Sequence, residues 1–227
     1  SGSSLHLRGY RKHLGLAPLS EVLAAALVKL SGWNQDTTLI DPMCGSGTIL
    51  IEAAMQALDW PAQFFRPSFG CQNWNDFDGA LWENMRAKVN ARRKDVLEKP
   101  LLGFDRDHVS VRKCVQNLIA ARIYGDVKVD AQDFFRLEKP DGPCTIITNP
   151  PYDERVRLPD VKRFYSNLGT TLKHKWPGNT AWILAADSPA LKEVGLRPSA
   201  KIHLMNGPIP CQFLRFDLYD GTKKIRG

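Results

Sequence analysis

TTLIDPMCGSGTILIEAAMQAL, residues 37–58, reads as a short apolar run, a turn carrying two glycines, and then a helical pattern. A strand feeding a helix through a glycine-rich turn is the unit of α/β folds that lets a nucleotide-like ligand come close to the backbone. The spacing is G-x-G at Gly45 and Gly47, with no third glycine and no Gly-Lys-Ser/Thr sequence. Neither the pyrophosphate fingerprint nor a phosphate-gripping loop is therefore complete. Asp41, just before the turn, disfavours a polyphosphate and suits a cationic ligand. S-adenosylmethionine carries a sulfonium and an ammonium group, and fits this mixture better than NAD or ATP. The expected cofactor contacts are Asp41, Pro42, Cys44, Gly45, Ser46, Gly47 and Thr48.

Further strand signals fall near 100–105, 127–131, 144–149, 180–187, 200–206 and 211–219, with a first helix over Pro18–Leu30, a later one over Val109–Tyr124, and helices between most of the strands. This alternation predicts an α/β fold with a mostly parallel sheet covered on both faces. Only Gly207-Pro208-Ile209-Pro210 separates the last two strands, too little for a parallel crossover, so they form an antiparallel hairpin. The result is a Rossmann-like, seven-stranded sheet ending in an antiparallel pair, the plan of class I S-adenosylmethionine-dependent methyltransferases. Acids stand at the next two strand ends. Asp105, followed by Arg106, is placed to accept from both ribose hydroxyls. After the third strand come Gln132, Asp133 and Phe134, with Asp133 an acceptor for the adenine amine and Phe134 packing nearby.

NPPY, Asn149–Tyr152, ends the fourth strand. Two successive prolines fix φ and remove two N–H donors, leaving an acceptor-rich cluster. The Asn149 side-chain oxygen and the Pro150 carbonyl can bind the two hydrogens of an –NH2 group, and Tyr152 can stack on the ring that carries it. Asn149, Pro150, Pro151 and Tyr152 are thus the candidate catalytic group, with Asn149 also bordering the cofactor. The chemistry is methylation of an exocyclic amine.

At 227 residues the chain suits one α/β domain, here residues 1–227 with an insertion at about 59–98. The insertion explains why about sixty residues, rather than some twenty, separate Asp41 from Asp105. It reads as an aromatic, proline-rich loop and an amphipathic helix ending in Arg92-Arg93-Lys94, either a solvated lid or a contact surface. Net charge is +7. Arg155, Arg157, Lys162 and Arg163 follow NPPY, Lys173 and Lys175 lie on the next element, and Arg8, Arg11 and Lys12 crowd the amino terminus. Basic residues beside a flat-ring pocket suggest clamping of a nucleic-acid backbone around an extruded base. The five cysteines form no CxxC pair and no ligand spacing with histidine, so no metal site is expected. They read as reduced thiols of a cytoplasmic protein, and no apolar run approaches a membrane span.

Residues 5–33 (LHLRGYRKHLGLAPLSEVLAAALVKLSGW), with LIDPMCGSGTILIEAA (39–54), GFDRD (103–107), FGCQNW, ALWENM, NPPY and the closing MNGPIPCQFLRFDLYDG, resemble the methyltransferase domain of the THUMP-associated 23S rRNA guanine-N2 methyltransferases, the RlmL type, over essentially the whole chain. RGYR at Arg8–Arg11 and APL at Ala17–Leu19 are more specific to that family than NPPY, which many amino-methyltransferases share. The resemblance implies S-adenosylmethionine as donor, the N2 amine of a guanine in 23S rRNA as acceptor, and an RNA-binding THUMP domain ahead of this segment. It also implies that the chain is part of a longer protein, in some bacteria with a second methyltransferase behind it. The residues alone leave open a tRNA guanine-N2 or DNA adenine-N6 methyltransferase, a protein glutamine methyltransferase, and a non-catalytic cofactor-binding RNA module.

Overall fold

The computed structural model describes residues 4–11, 19–151 and 160–219. The chain passes through α1 (Glu21–Ser31), β1 (Thr38–Asp41), α2 (Thr48–Ala57), α3 (Gly79–Asn90), β2 (Leu101–Asp105), α4 (His108–Ala120), β3 (Val127–Ala131), β4 (Cys144–Thr148), α5 (Val161–Lys175), β5 (Thr180–Ala186), β6 (Ala200–Asn206) and β7 (Ile209–Asp217). The seven strands form one sheet in the order β3-β2-β1-β4-β5-β7-β6. β1 to β5 are mutually parallel, and β7 runs antiparallel between β5 and β6. The strand order reverses between β1 and β4, so the crevice above their carboxyl ends is where a fold of this plan places its ligand.

Side chains alternate between the two faces of the sheet. Leu39 enters the core with α1 and α2, and its neighbour Ile40 enters the opposite core with α5. Only Gln56 of α2 escapes burial, as befits a helix apolar on all sides and enclosed by others. Ser20 caps α1 by accepting from the Leu23 N–H, so the helix starts three residues later than expected; Gly32 ends it in the left-handed conformation.

Two connections depart from the expected strand–helix alternation. Residues 132–143 join β3 to β4 without a helix. Phe134 and Leu137 fill the space a helix would cover, Phe134 stacking on Trp176 at 5.9 Å. Between β5 and β6 there is only a 3-10 turn, Pro189–Val194. The hairpin is tighter than expected: β7 begins at Ile209, opposite Asn206, leaving Gly207-Pro208 as the turn.

The insertion folds back on its own start. Arg93 lies over the rings of Trp60 and Phe64, at 4.5 and 4.3 Å, and Arg92 pairs with Asp59 at 3.3 Å. No side chain of α3 is buried, and Trp82 packs on Phe69 and Phe77 within the insertion.

The amino-terminal segment requires a correction. Arg8 and Arg11, expected at a nucleic-acid surface, point inward. Arg8 Nε donates to Glu52 Oε1 at 3.0 Å, and the Tyr10 hydroxyl donates to the same oxygen at 2.8 Å. Arg11 pairs with Glu21 at 3.6 Å, donates to Thr48 Oγ1 at 2.5 Å and also reaches the Leu19 carbonyl. The reason is Glu52, a carboxylate on the buried helix α2, whose ionised form is tolerated only beside a cation. Burial pushes its pKa up, and Arg8 pulls it back. Lys12 lies outside the described residues. Arg8→Met, leaving Glu52 without its cation, is expected to cost about 3–5 kcal/mol. Urea unfolding measures this, and an unchanged midpoint would return Arg8 to the surface.

Candidate active site

A cavity of about 700 Å³ opens at the carboxyl edge of the sheet, over the point where the strand order reverses. Four successive strand ends supply one wall each. From β1 come Asp41, Pro42, Cys44, Gly45, Ser46 and Thr48; from β2, Asp105 and Arg106; from the end of β3, Asp133 and Phe134; from β4, Asn149, Pro150 and Pro151. The structure thus gathers most of the expected site residues into one cavity.

Two carboxylates, Asp41 buried and Asp105 half-buried, fix the geometry. Asp41 is buried and accepts from the Thr148 hydroxyl at 2.8 Å and the Met43 N–H at 3.3 Å. It therefore binds the end of β4, one residue before Asn149, to the loop after β1. Asp105 accepts from the Gly45 N–H and the Asp107 N–H, both at 2.9 Å, and so holds the glycine turn against the end of β2. Desolvation raises both pKa values, that of Asp41 to about 7. Asp107 behaves differently: bonds from Ser110 and the first amides of α4 hold its carboxyl below the ordinary range.

Asn149 carries the most informative atom. Its Oδ1 is buried and has no hydrogen-bond partner in the protein, although it belongs to a cavity wall. A buried acceptor left unpaired costs about 1–3 kcal/mol and signals a missing ligand donor.

Gly47 supports the site without lining it. It caps α2 at φ 82°, and a Cβ there would come within 2.4 Å of the Cys114 sulfur. Only glycine gives the turn both that conformation and that clearance. The Cys44 thiol, hydrogen-bonded to Cys114 and buried, is held neutral, its pKa well above the usual value. Gln132 is not on the cavity wall. Its amide donates to Asp130 at 3.1 Å while its backbone N–H donates to the Asp105 carbonyl, one step past the last β2–β3 pair. Phe134 is nearly all buried and reaches the cavity from within the core. Lys162 and Arg163 are exposed on the first turn of α5. Tyr152, Arg155 and Arg157 lie outside the described residues.

Residues beyond the sequence reading also face the cavity. Phe164 of α5 contributes, as does Asn206–Ile209, the β6–β7 turn. Strand β7 is antiparallel to β5, so that turn lies at the same edge as Asn149. The hairpin was predictable, and its signal for the site was this direction of travel. Leu19 and Ser20, held by Arg11, form a further lip.

The wall is chemically uneven: Asp41, Asp105 and Asp133, the orphaned Asn149 oxygen and the Pro150 carbonyl are all acceptors. That set fits a ligand presenting an ammonium group, hydroxyls and amine hydrogens. Arg106 and Lys113 are the cations on the same wall. Folded Asp41 keeps its proton up to about pH 7, whereas unfolded it titrates at 3.8. The stability this contributes is therefore full below 3.8 and lost as pH rises to about 7. Asp41→Asn keeps the acceptor for Thr148 without the titration. Its stability relative to the native protein is expected to rise between pH 4 and 7 by up to about 4 kcal/mol, then level off. Urea midpoints at pH 4.5, 6 and 8 check this; a difference independent of pH would contradict it.

Comparison with known proteins agrees with this geometry. The family described as UPF0020, RMKL-like, methyltransferase domain, matches residues 8–215. A Synechocystis protein named "Putative RNA methyltransferase slr0064" is 38% identical over 220 residues, which are 96% of this chain and 57% of that protein. The ribosomal RNA large subunit methyltransferase K/L of Aliivibrio fischeri is 35% identical over 229 residues, covering 98% of this chain and 32% of that protein. The chain therefore spans little more than half the length of the first of these relatives and about a third of the second. Among solved structures, SMU.472, "a putative methyltransferase complexed with SAH", superposes with a TM-score of 0.88 at 29% identity, covering 98% of this chain and 58% of that one. The fold, the acceptor-lined cavity and the match across nearly all of the sequence agree: this chain belongs to the RMKL-like methyltransferase domain family.

Proposed function

We propose that this chain methylates the N2 amine of a guanine in 23S rRNA, with S-adenosylmethionine as methyl donor. The observation that carries the reading is the orphaned Asn149 Oδ1, on a cavity wall that Pro150 also lines, at the end of the strand next to the glycine turn. The names of the relatives, RNA methyltransferases among them, support RNA as the substrate class.

The acceptor cluster needs an amine that is a poor nucleophile. The lone pair of the guanine N2 amine is delocalised into the ring. Hydrogen bonds from its N–H groups to Asn149 Oδ1 and the Pro150 carbonyl localise that pair and aim it. As positive charge develops on nitrogen, these bonds strengthen, so they favour the transition state over the ground state. Asn149 cannot itself take up a proton; the proton leaves to solvent after transfer. S-adenosylmethionine, when bound, supplies a methyl group already activated by the sulfonium charge.

The remaining work is positioning. Asp41 and Asp105 offer acceptors for the donor groups of the cofactor, and both hold loop amides in place before it arrives. Asp133 stands at the next strand end, its Oδ1 accepting from the Phe135 N–H at 3.0 Å. A cationic cofactor next to Asp41 draws the proton off that carboxyl, so its affinity rises with pH through about 7. The target base must leave its stack, at a cost of a few kcal/mol. Pro151 and Phe164 give it apolar surface at the mouth, and Tyr152 completes that surface in this proposal.

The test is tritiated methyl transfer to unmodified 23S rRNA, followed by digestion to nucleosides. N2-methylguanosine is the expected product. N6-methyladenosine, or transfer to DNA alone, would overturn the assignment of the acceptor. Asn149→Ala is expected to lower turnover by about 10²–10³-fold, with affinity for S-adenosylhomocysteine by calorimetry essentially unchanged. Turnover that survives this change would remove Asn149 from the chemistry.

A further inference from the structure

A second, smaller hollow of about 210 Å³ lies between α5 and the 3-10 turn Pro189–Val194. Ser166, Thr170, Lys173 and His174 supply one side, and Glu193 and Gly195 the other. Its floor is backbone. A Cβ on Gly169 would lie 1.7 Å from the Val194 carbonyl oxygen, so helix and turn touch where only glycine fits. The lining is polar almost throughout, and none of it belongs to the main cavity.

Its position is informative. Lys162, Ser166, Thr170 and His174 recur every fourth residue, a single stripe along the exposed side of α5. That stripe starts at Lys162, in the first turn of the helix that also carries Phe164, a wall of the main cavity, on another of its sides. At 1.5 Å per residue the α5 residues of the hollow, Ser166 to His174, lie about 3–15 Å further along the helix than Phe164, roughly one to four nucleotide steps of a stacked strand at 3.4 Å each. No Asp or Glu occurs within α5. Among the described residues, Lys162, Arg163 and Lys173 form no ion pair, whereas Lys175, at the end of the helix, pairs with Glu138 at 3.6 Å. Lys192 and Arg197 are exposed on the facing loop.

We infer that this hollow binds the sugar–phosphate backbone of the RNA whose base enters the main cavity; the inference rests on the proposed function. Lys173 neutralises a phosphate, and the Ser166 and Thr170 hydroxyls donate to its oxygens. Glu193, the one acid on the wall, repels a second phosphate and accepts from a ribose 2′-hydroxyl. That group is what distinguishes RNA from DNA at such a position. The stripe on α5 carries the strand from the hollow to the cavity mouth.

The experiment measures binding of this chain to a 23S rRNA fragment and to DNA of the same sequence, by fluorescence anisotropy across a salt series. Methyl transfer and S-adenosylhomocysteine affinity are measured in parallel. Lys173→Gln is expected to weaken RNA binding about 3- to 10-fold and to reduce the slope of log K against log salt by about one. Lys29→Gln, on the exposed side of distant α1, should leave the affinity within twofold. Glu193→Ala should lower the preference for RNA over DNA severalfold. S-adenosylhomocysteine affinity should stay constant in all three variants. If the native chain methylates RNA but Lys173→Gln keeps the native affinity and slope, or Lys29→Gln weakens binding equally, the hollow is not a backbone site and the proposed function stands. If the native chain neither binds nor methylates RNA, the functional reading falls and this inference with it.

Discussion

The hydrogen bond from the Thr148 hydroxyl to Asp41, 2.8 Å long and buried at both ends, joins the carboxyl termini of two adjacent strands that are far apart in sequence. β1 delivers the glycine turn, and β4 delivers Asn149. They are neighbours only because the strand order reverses between them. Asp105 extends the same device to a third strand by accepting from the Gly45 amide. Three loops that would otherwise move independently are thus held by two carboxylates. The arrangement has a cost: burial raises both pKa values, because desolvation disfavours the charged form of each acid. A ligand rich in donors and positive charge offsets that cost. The groups that build the cavity are therefore also the groups that select its occupant.

Much of this was visible in the sequence, for identifiable reasons. The parallel strands of the sheet's interior are covered on both faces, so they appear as short apolar runs whose ends are marked by polar residues. The chemistry of an open α/β sheet gathers at those ends. Asp41, Asp105, Asp133 and Asn149 could accordingly be placed without coordinates. Proline misled the reading of β7, because Pro210 looked like part of a connection. In the fold it needs no N–H, and its carbonyl accepts from Asp187 at 2.9 Å. β3 and β4 are joined without a helix, and Phe134 and Leu137 fill the core there, a use of side-chain volume that alternation rules cannot register. Gln132 was placed on the wall by adjacency alone, yet its amide donates to Asp130.

Arg8 and Arg11 show a different limit. A cluster of basic residues in sequence is compatible with an outer surface and with a buried ion pair. What decides between them here is Glu52, more than forty residues away on a helix that has almost no exposed face. An acid inside an apolar helical run was itself the available signal. Such a residue must find a cation or lose its charge, and the nearest arginine-rich segment supplies it. Through Leu19 and Thr48 the same network reaches the cavity, because Arg11 bonds to both. The amino-terminal segment is thus a structural wall of the site.

The distribution of charge follows from these constraints. With Arg8 and Arg11 drawn inward and Arg92 and Arg93 spent on closing the insertion, the net charge of +7 overstates how many cations are available to a polyanion. Those that remain along α5 occupy the element whose amino end adjoins the NPP loop and whose Phe164 enters the cavity. On the cavity wall the acids Asp41, Asp105, Asp107 and Asp133 outnumber the cations Arg106 and Lys113, and further cations stand outside along one helix. Asp41 is buried and Asp105 and Asp133 are half-buried, each bonded to a backbone amide, while the cations of α5 are exposed on a helix. In the proposed reading, a nucleic acid lays its phosphates on α5 and sends a single base, which carries no charge, into the cavity.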